Sequence, residues 1–504
     1  MPLIDNFLNR ITMYRLVLYY VCVLLVAAFV FSFFHLLPTT PLNLLFSTLV
    51  ILAVSWGTNV LFAKIYGAIP NVESVYITAF ILALIITPVA PTNVPGIGFL
   101  VAVSILAMGS KYTFAFGKKH IFNPAAFGIA AGALIIGQSA SWWVGGNLPL
   151  LPFVLIGGFL ITRKIRRFDL VIAFSIVALA TIALTSRAGS SLLMIEQTLL
   201  HTSFFFLALV MLTEPLTMPP SRWLRVAYAS LVAFLFAPNI HLGSYYFTPE
   251  VALLVGNLFA YIVSPKGRFM LTLKEKKEIA TDTYEFVFAP DRPIPFHAGQ
   301  YIEWTLPAMT PDDRGNRRFF TLASAPTENV VRLGVRYSTP ASTFKQSLAS
   351  LRENDTITAA QIAGDFTLPT DAKKKLVWIA GGIGITPFRS QAQYLMDTNN
   401  KRDITLLYSN KTAPEIAYKD VFTAAQEKIG LRTIYALTNE SAPVPNTHNG
   451  FIDAALIQKE IPDYTERIFY ISGPHGMVEA FKKTLHAMGV SRFNIKADYF
   501  PGFA

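Results

Sequence analysis

The chain has 504 residues, of which 53% are hydrophobic and 14% charged, with a formal net charge of +11; so apolar a composition excludes an ordinary soluble protein. Its one cysteine, Cys22, excludes an intrachain disulfide framework, a four-cysteine iron–sulfur cluster and a cysteine-rich zinc site. The basic excess lies in the first half, with 15 Lys+Arg against 6 Asp+Glu up to Arg268 and 27 against 25 beyond it, which points to membrane topology rather than nucleic acid.

Ten apolar segments come first, near 14–37, 43–65, 72–90, 96–110, 121–138, 149–162, 169–186, 193–213, 222–238 and 250–264, and each is expected to be a membrane helix. No small-residue cleavage site follows the first, so a retained helix is expected there rather than a signal peptide. Arg10, Arg15, Lys64, Lys111, Lys118, Lys119, Arg163, Lys164, Arg166, Arg167, Arg222, Arg225, Lys266 and Arg268 fall in loops on one side; the alternate loops carry Arg187. Positive-inside asymmetry then predicts a multi-pass protein of the cytoplasmic membrane, with its N-terminus and its second half in the cytoplasm.

Two stretches repeat at an offset close to 125 residues. Phe80-Ile-Leu-Ala-Leu-Ile-Ile-Thr-Pro88 matches Phe206-Leu-Ala-Leu-Val-Met-Leu-Thr-Glu-Pro215, and Phe122-Asn-Pro124 matches Phe247-Thr-Pro249. Five helices separate the copies, and an odd-numbered repeat inserts upside down, so an inverted repeat with its working site at the repeat interface is expected. Glu214, at a proline-broken helix end, reads either as a ligand for a cation or a flavin edge or as an interfacial carboxylate in water. Asn123 reads as a helix cap, alone or while also bonding a ligand, and Trp142 and Trp143 as interfacial anchors in an outer loop. His201 has no partner histidine at stacked-haem spacing, which argues against a haem-carrying membrane domain.

The segments His120-Ile-Phe-Asn-Pro-Ala-Ala-Phe-Gly128 and Met211-Leu-Thr-Glu-Pro-Leu-Thr-Met-Pro219 resemble a family of flavin-carrying membrane proteins, found in the sodium-translocating NADH:quinone oxidoreductase and in the related Rnf electron-transport complex. The resemblance covers roughly residues 10–268. It implies an electron-transport membrane domain. In that family a threonine in a Ser-Gly-Ala-Thr motif carries covalent FMN, but Gln138-Ser-Ala-Ser-Trp-Trp-Val-Gly-Gly-Asn147 has no threonine, so a membrane flavin (FMN or riboflavin) would bind non-covalently.

After Arg268 the pattern changes. Thr283-Tyr-Glu-Phe-Val-Phe288, Gln300-Tyr-Ile-Glu-Trp304 and Val331-Arg-Leu-Gly-Val-Arg336 predict an antiparallel β-barrel. From Lys373 onward, strands such as Leu376–Ala380 and Ile404–Tyr408 alternate with helices and predict a parallel α/β domain. The expected organisation is an all-α polytopic membrane domain over 1–268, a barrel over 269–370 and a nucleotide-binding domain over 371–504. Gly381-Gly-Ile-Gly-Ile-Thr-Pro387 follows an apolar strand and opens a helix, as a pyrophosphate-binding turn does.

In register with Arg318-Phe-Phe-Thr321 and Ser472-Gly-Pro474, this turn resembles the ferredoxin–NADP reductase family over essentially all of 269–504. The resemblance implies FAD held by Arg318, Phe319, Phe320, Thr321, Ser324, Val335, Tyr337, Ser342 and Thr343. It implies NADH or NADPH at Gly381, Gly382, Gly384, Thr386, Pro387, Tyr408, Gly473 and Pro474, with NADH favoured because Lys411 is the basic residue that stands out after the second strand. Arg318 would pair with the flavin pyrophosphate, and Thr321 and Ser472 would flank the hydride-transfer path. Phe320 stands where the family has tyrosine, and Ser472 where it has cysteine. Asp498-Tyr-Phe-Pro-Gly-Phe503 is expected near the flavin or in the core.

The combined expectation is a membrane flavoprotein oxidoreductase. It takes electrons from NAD(P)H through FAD into the membrane domain, and on to a quinone, a second flavin or an extracytoplasmic redox partner, with ion coupling and further membrane subunits as options. An inverted-repeat transporter with a regulatory or substrate-trapping flavin reductase is the alternative.

Overall fold

The computed structural model describes residues 4, 7–8, 11–67, 72–116, 119–187, 189–264, 268–306, 316–337, 341–440 and 447–500. Arg10, Lys118, Lys266 and the 501–503 end of the C-terminal motif lie outside them. The chain divides into two compact units, Met1–Gly267 and Arg268–Ala504.

In the first unit every one of the ten apolar segments contains helix: α1 (Met13–Phe33), α2 (Pro41–Ile65), α3 (Val72–Ile85), α4 (Val94–Thr113), α5 (Pro124–Ile136), α6 (Leu148–Ile165), α7 (Phe168–Thr185), α8 (Ser191–His201), α9 (Phe204–Met211), α10 (Arg222–Phe236) and α11 (Pro249–Val263). Side-chain caps set several starts: Thr12, Thr40, Asn93 and Asn123 each accept a bond from a first-turn N–H.

Ten full spans do not result. Among the described residues, five helices are long and apolar enough to cross a membrane (α1, α2, α4, α6 and α7); α8 and α9, bent by 64° at their junction, make a sixth if taken as one. Proline is the physical reason. Helices α5 and α11 begin at Pro124 and Pro249 and last 13 and 15 residues; at about 1.5 Å per residue they reach roughly 20 Å, against about 30 Å of hydrocarbon. Helix α3 stops at Ile85, three residues before Pro88.

Each break exposes backbone and polar groups that other segments satisfy. Trp142 and Trp143 are buried, at 4% and 9% exposure, which corrects the anchoring expectation. The Trp143 indole donates to the carbonyls of Ala83 and Ile86 at the end of α3. The Trp142 backbone N–H donates to Ile85, and its indole donates to Glu250 at the start of α11 (2.8 Å). Beyond α9, Glu214 accepts from Asn123 Nδ2 (2.9 Å) and Thr217 Oγ1 (3.1 Å), and His120 Nε2 lies 3.1 Å from it. Asn123 thus caps α5 through Oδ1 while its amide nitrogen holds Glu214.

The second unit holds two sheets. In the first lobe, β1 (Phe269–Ala280), β2 (Thr283–Pro290), β3 (Tyr301–Thr305), β4 (Arg317–Thr321), β5 (Val331–Arg336) and β6 (Thr356–Ala363) pair antiparallel in the order β4-β3-β6-β1-β2-β5. Phe286, Phe288, Trp304 and Leu333 fill its core with Phe344 of α12 (Thr343–Ala349). No ladder joins the edge strands β4 and β5 among the described residues, so the expected barrel is observed as a six-stranded antiparallel sheet.

The second lobe alternates strand and helix: β7 (Leu376–Gly381), α13 (Thr386–Asp397), β8 (Ile404–Asn410), α14 (Lys419–Ile429), β9 (Arg432–Leu437), β10 (Thr447–Asn449), α15 (Ala454–Glu460), β11 (Ile468–Pro474), α16 (His475–Ala487) and β12 (Ile495–Phe500). All pairings are parallel, in the order β10-β9-β8-β7-β11-β12. Leu376–Ala380 is wholly buried, as a central strand covered on both faces must be. The order reverses between β7 and β11. In an open parallel sheet the ligand crevice opens at such a reversal, beyond the strands' carboxyl ends.

Candidate functional site

Both glycine-bearing motifs stand at that reversal. Ala380 of β7 lies in register with Ser472 of β11, so Gly381–Gly384 and Gly473–Pro474 leave neighbouring strands side by side. Their closeness requires glycine. A Cβ on Gly384 would lie 2.4 Å from the Ser472 carbonyl oxygen, and one on Gly473 would lie 2.6 Å from Met477 Cε. Gly382 has φ +52°, in the left-handed region.

The antiparallel lobe supplies the opposite wall. It is fastened to the parallel lobe by α13, where Arg389 donates to the Ala323 carbonyl and to Glu328, and the Ser390 hydroxyl donates to the Ser324 carbonyl. Between the lobes lies a cavity of about 630 Å³. Phe320, Thr321, Val335 and Tyr337 line it on one side, and Gly381, Gly382, Gly384, Thr386, Gly473 and Pro474 on the other.

The remaining expected residues lie elsewhere. Arg318 sits over the Phe344 ring at 5.4 Å, and Phe319 is half exposed. Ser342 caps α12 by accepting from Lys345 N–H, Thr343 begins that helix, and Pro387 is buried in the first turn of α13. Two assignments need correcting. Ser324 is wholly buried and accepts from the Arg332 N–H, and Tyr408 is wholly buried in the sheet's core with its hydroxyl accepting from Ala417 N–H. Tyr408 lies in the buried body of β8, while Ser409 and Asn410 close the strand at its carboxyl end and line the cavity. Sequence reading also missed Arg336, Asn410, Glu415, Thr438 and Phe451 in the lining; no linear motif holds them, because they come from the ends of different strands.

A flavin and a nicotinamide dinucleotide fit these residues. Thr321 Oγ1, Tyr337 OH and Ser472 Oγ are buried without a hydrogen-bond partner, and buried polar groups normally have one. Burial pushes the Tyr337 phenol up, which keeps it a neutral donor. Apolar Phe320 and Val335 suit a ring system, and the glycine cradle suits phosphate.

Residues 378–483 match the family model described as the oxidoreductase NAD-binding domain. This chain is an NAD(P)H-dependent, FAD-containing oxidoreductase. The oxidoreductase is similar to "Oxidoreductase NAD-binding domain-containing protein 1" of Pongo abelii, at 29% identity over 229 residues, 41% of this chain and 70% of that protein. It is similar to the flavohemoprotein of Bacillus subtilis (strain 168) at 25% identity over 238 residues, 46% of this chain and 58% of that protein. Among solved structures, the Amycolatopsis cytochrome P450 reductase GcoB is 27% identical with a TM-score of 0.42, covering 46% of this oxidoreductase and 69% of that chain. The family-model match lies wholly within the parallel lobe.

Proposed function

We propose that the oxidoreductase draws electrons from NADH in this cavity and delivers them into its helical unit, which sits in the cytoplasmic membrane and passes them to a quinone, a second flavin or an extracytoplasmic partner. The observation that carries the reading is the cavity whose walls are Phe320 and Thr321 on one lobe and Gly381–Gly384 with Gly473 on the other. When bound, FAD would take a hydride from NADH and release the electrons singly or in pairs.

The chain's own residues bind and orient. Phe320 and Val335 present an apolar face to the ring system, and Tyr337 offers the phenol hydroxyl that Phe320 lacks. Thr321 supplies a hydroxyl on one wall, and Ser472, wholly buried one residue before Gly473, backs the other, so that two flat rings can be held in contact; such positioning accounts for much of the barrier lowering in hydride transfer. Arg318 is the cation assigned to the flavin pyrophosphate. Glu415 faces the cavity near Lys411 and opposes a 2′-phosphate, which favours NADH over NADPH.

The basic loops support the cytoplasmic orientation. Helices broken at Pro124 and Pro249, with Glu214 and Glu250 held at the breaks, support an inverted-repeat membrane unit. The same breaks are what a transporter would use.

Purified protein given NADH and a soluble quinone separates the two readings. Quinone reduction that needs the helical unit is expected, together with a flavin count after acid precipitation that defines the path. Flavin reduction that proceeds identically without the helical unit, and no quinone turnover, would favour transport instead.

A further inference from the structure

The two lobes meet along one face of β5, an edge strand that pairs, among the described residues, with β2 alone. Val331, Leu333 and Val335 alternate into the antiparallel lobe's own core, so Arg332, Gly334 and Arg336 point away from it. Arg332 is paired with Glu285 (2.7 Å) and Glu328 (2.8 Å), and Arg336 with Glu415 (3.0 Å). Between these two arginines the strand carries no side chain.

The parallel lobe comes down onto that gap. A Cβ on Gly334 would lie 2.7 Å from the Tyr418 hydroxyl oxygen, 2.9 Å from Thr386 Cγ2 and 3.3 Å from Ile383 Cδ1. The two nearest groups are held in place. Tyr418 is 6% exposed, packs in the parallel lobe's core and has the Arg389 guanidinium 5.9 Å from its ring centroid. Thr386 is buried, and its hydroxyl donates to the Ile383 carbonyl. Gly334 lies inside an ordinary strand, so spacing, not backbone conformation, demands glycine there. The contact falls where the cavity's walls join: Ile383 and Thr386 belong to the glycine-turn wall, Val335 to the opposite one, and Gly334 lies between them.

We propose that Gly334 is a positioning residue for hydride transfer, holding the lobes at the separation that brings a nicotinamide ring and a flavin ring into contact. This rests on the reading of the cavity as the place where the two rings meet. A hydride, one proton with two electrons, passes from NADH to the flavin; NADH is oxidised, the flavin is reduced, and solvent supplies the flavin's second proton. Such transfer needs reacting atoms about 3–3.5 Å apart, and a misplacement of about 1 Å costs about 100-fold. Apolar atoms rest about 3.5–4.0 Å apart, so a methyl at position 334 opens the seam by about 1 Å.

The test compares the two half-reactions of Gly334→Ala in the full-length, flavin-loaded protein in detergent. Stopped-flow flavin reduction at saturating NADH should slow by about 10–100-fold, and the long-wavelength absorbance of the stacked ring pair should fall. Reoxidation of the dithionite-reduced protein by ferricyanide needs no donor ring and should match the parent, as should flavin content. Adding Tyr418→Phe removes the atom nearest the new methyl. Part of the hydride-transfer rate should then return, together with part of the melting temperature that Gly334→Ala costs the flavin-free protein.

An unchanged rate of flavin reduction in Gly334→Ala would overturn the proposal, and so would equal slowing of both half-reactions, which marks general distortion. If Gly334→Ala does not fold, the double variant is compared with Tyr418→Phe alone by the same pair of rates. Gly384→Ala fills the glycine turn itself; if that variant reduces its flavin with the parent's rate and NADH KM, the reading of the cavity fails, an outcome distinct from either of these.

Discussion

Thr321 and Ser472 each bury a hydroxyl that bonds to nothing in the protein, an arrangement that costs stability and makes sense where a ligand completes the bond. Thr321→Val keeps the shape and removes the orphaned oxygen. The apo form should therefore melt at the same temperature or higher, while stopped-flow flavin reduction by NADH slows by about tenfold or more. A lower melting temperature with unchanged reduction would assign Thr321 to packing. Glycines separate in the same manner. Gly384→Ala drives a methyl to 2.4 Å from a backbone carbonyl that cannot swing aside; overpacking of this sort costs about 1–3 kcal/mol, read as a lower melting temperature with a raised NADH KM. Gly476, in the first turn of α16, has nothing within 4 Å of a built Cβ, and its alanine variant should be neutral or stabilising by about 0.5–1 kcal/mol.

Single elements carry the next level of organisation. Helix α13 fastens the two lobes through Arg389, which is 6% exposed and bonded to Glu328. Burial alone would raise the Glu328 carboxyl, but hydrogen bonds and charge from Arg389 outweigh it and hold the group below its usual range. A depressed carboxylate contributes stability that is fully present above its unfolded pKa, near 4.3, and is lost as pH falls through the folded value. Melting temperature should drop as pH falls below that point, and Glu328→Gln should flatten part of that slope while costing about 3–5 kcal/mol at neutral pH for the stranded Arg389. In the helical unit, Trp142→Phe removes the indole N–H that serves Glu250. A loss of about 1–3 kcal/mol in detergent melts is expected, whereas an interfacial anchor would tolerate phenylalanine. The helices themselves were legible from apolar runs, but their reach was not. Hydropathy averages over Pro124 and Pro249, while backbone geometry stops at them. Thr321 and Gly384 were legible because contiguous motifs contain them. Asn410, Glu415 and Phe451 were not, since only strand order brings their loops together, and Tyr408 was misplaced because a motif does not show where the buried body of β8 gives way to its tip at Ser409 and Asn410.

On the scale of the whole molecule, the composition change after Arg268 coincides with the division between compact units at Gly267 and Arg268. A protein starting at Arg268 should fold alone, reduce ferricyanide with NADH at a rate near that of the full chain, and fail to pass electrons to a membrane-soluble quinone; equal quinone turnover by the fragment would remove the helical unit from the electron path. Within that fragment, the reversal of strand order between β7 and β11 has a consequence for engineering. The donor pocket is made of strand tips and the loops that leave them, while the buried strand bodies never meet the donor. Exchanging the loop after β8 and the one after β9 for those of an NADPH-using reductase should therefore retune donor preference without refolding the sheet. The architecture separates what must stay fixed from what selection, or a designer, is free to rewrite.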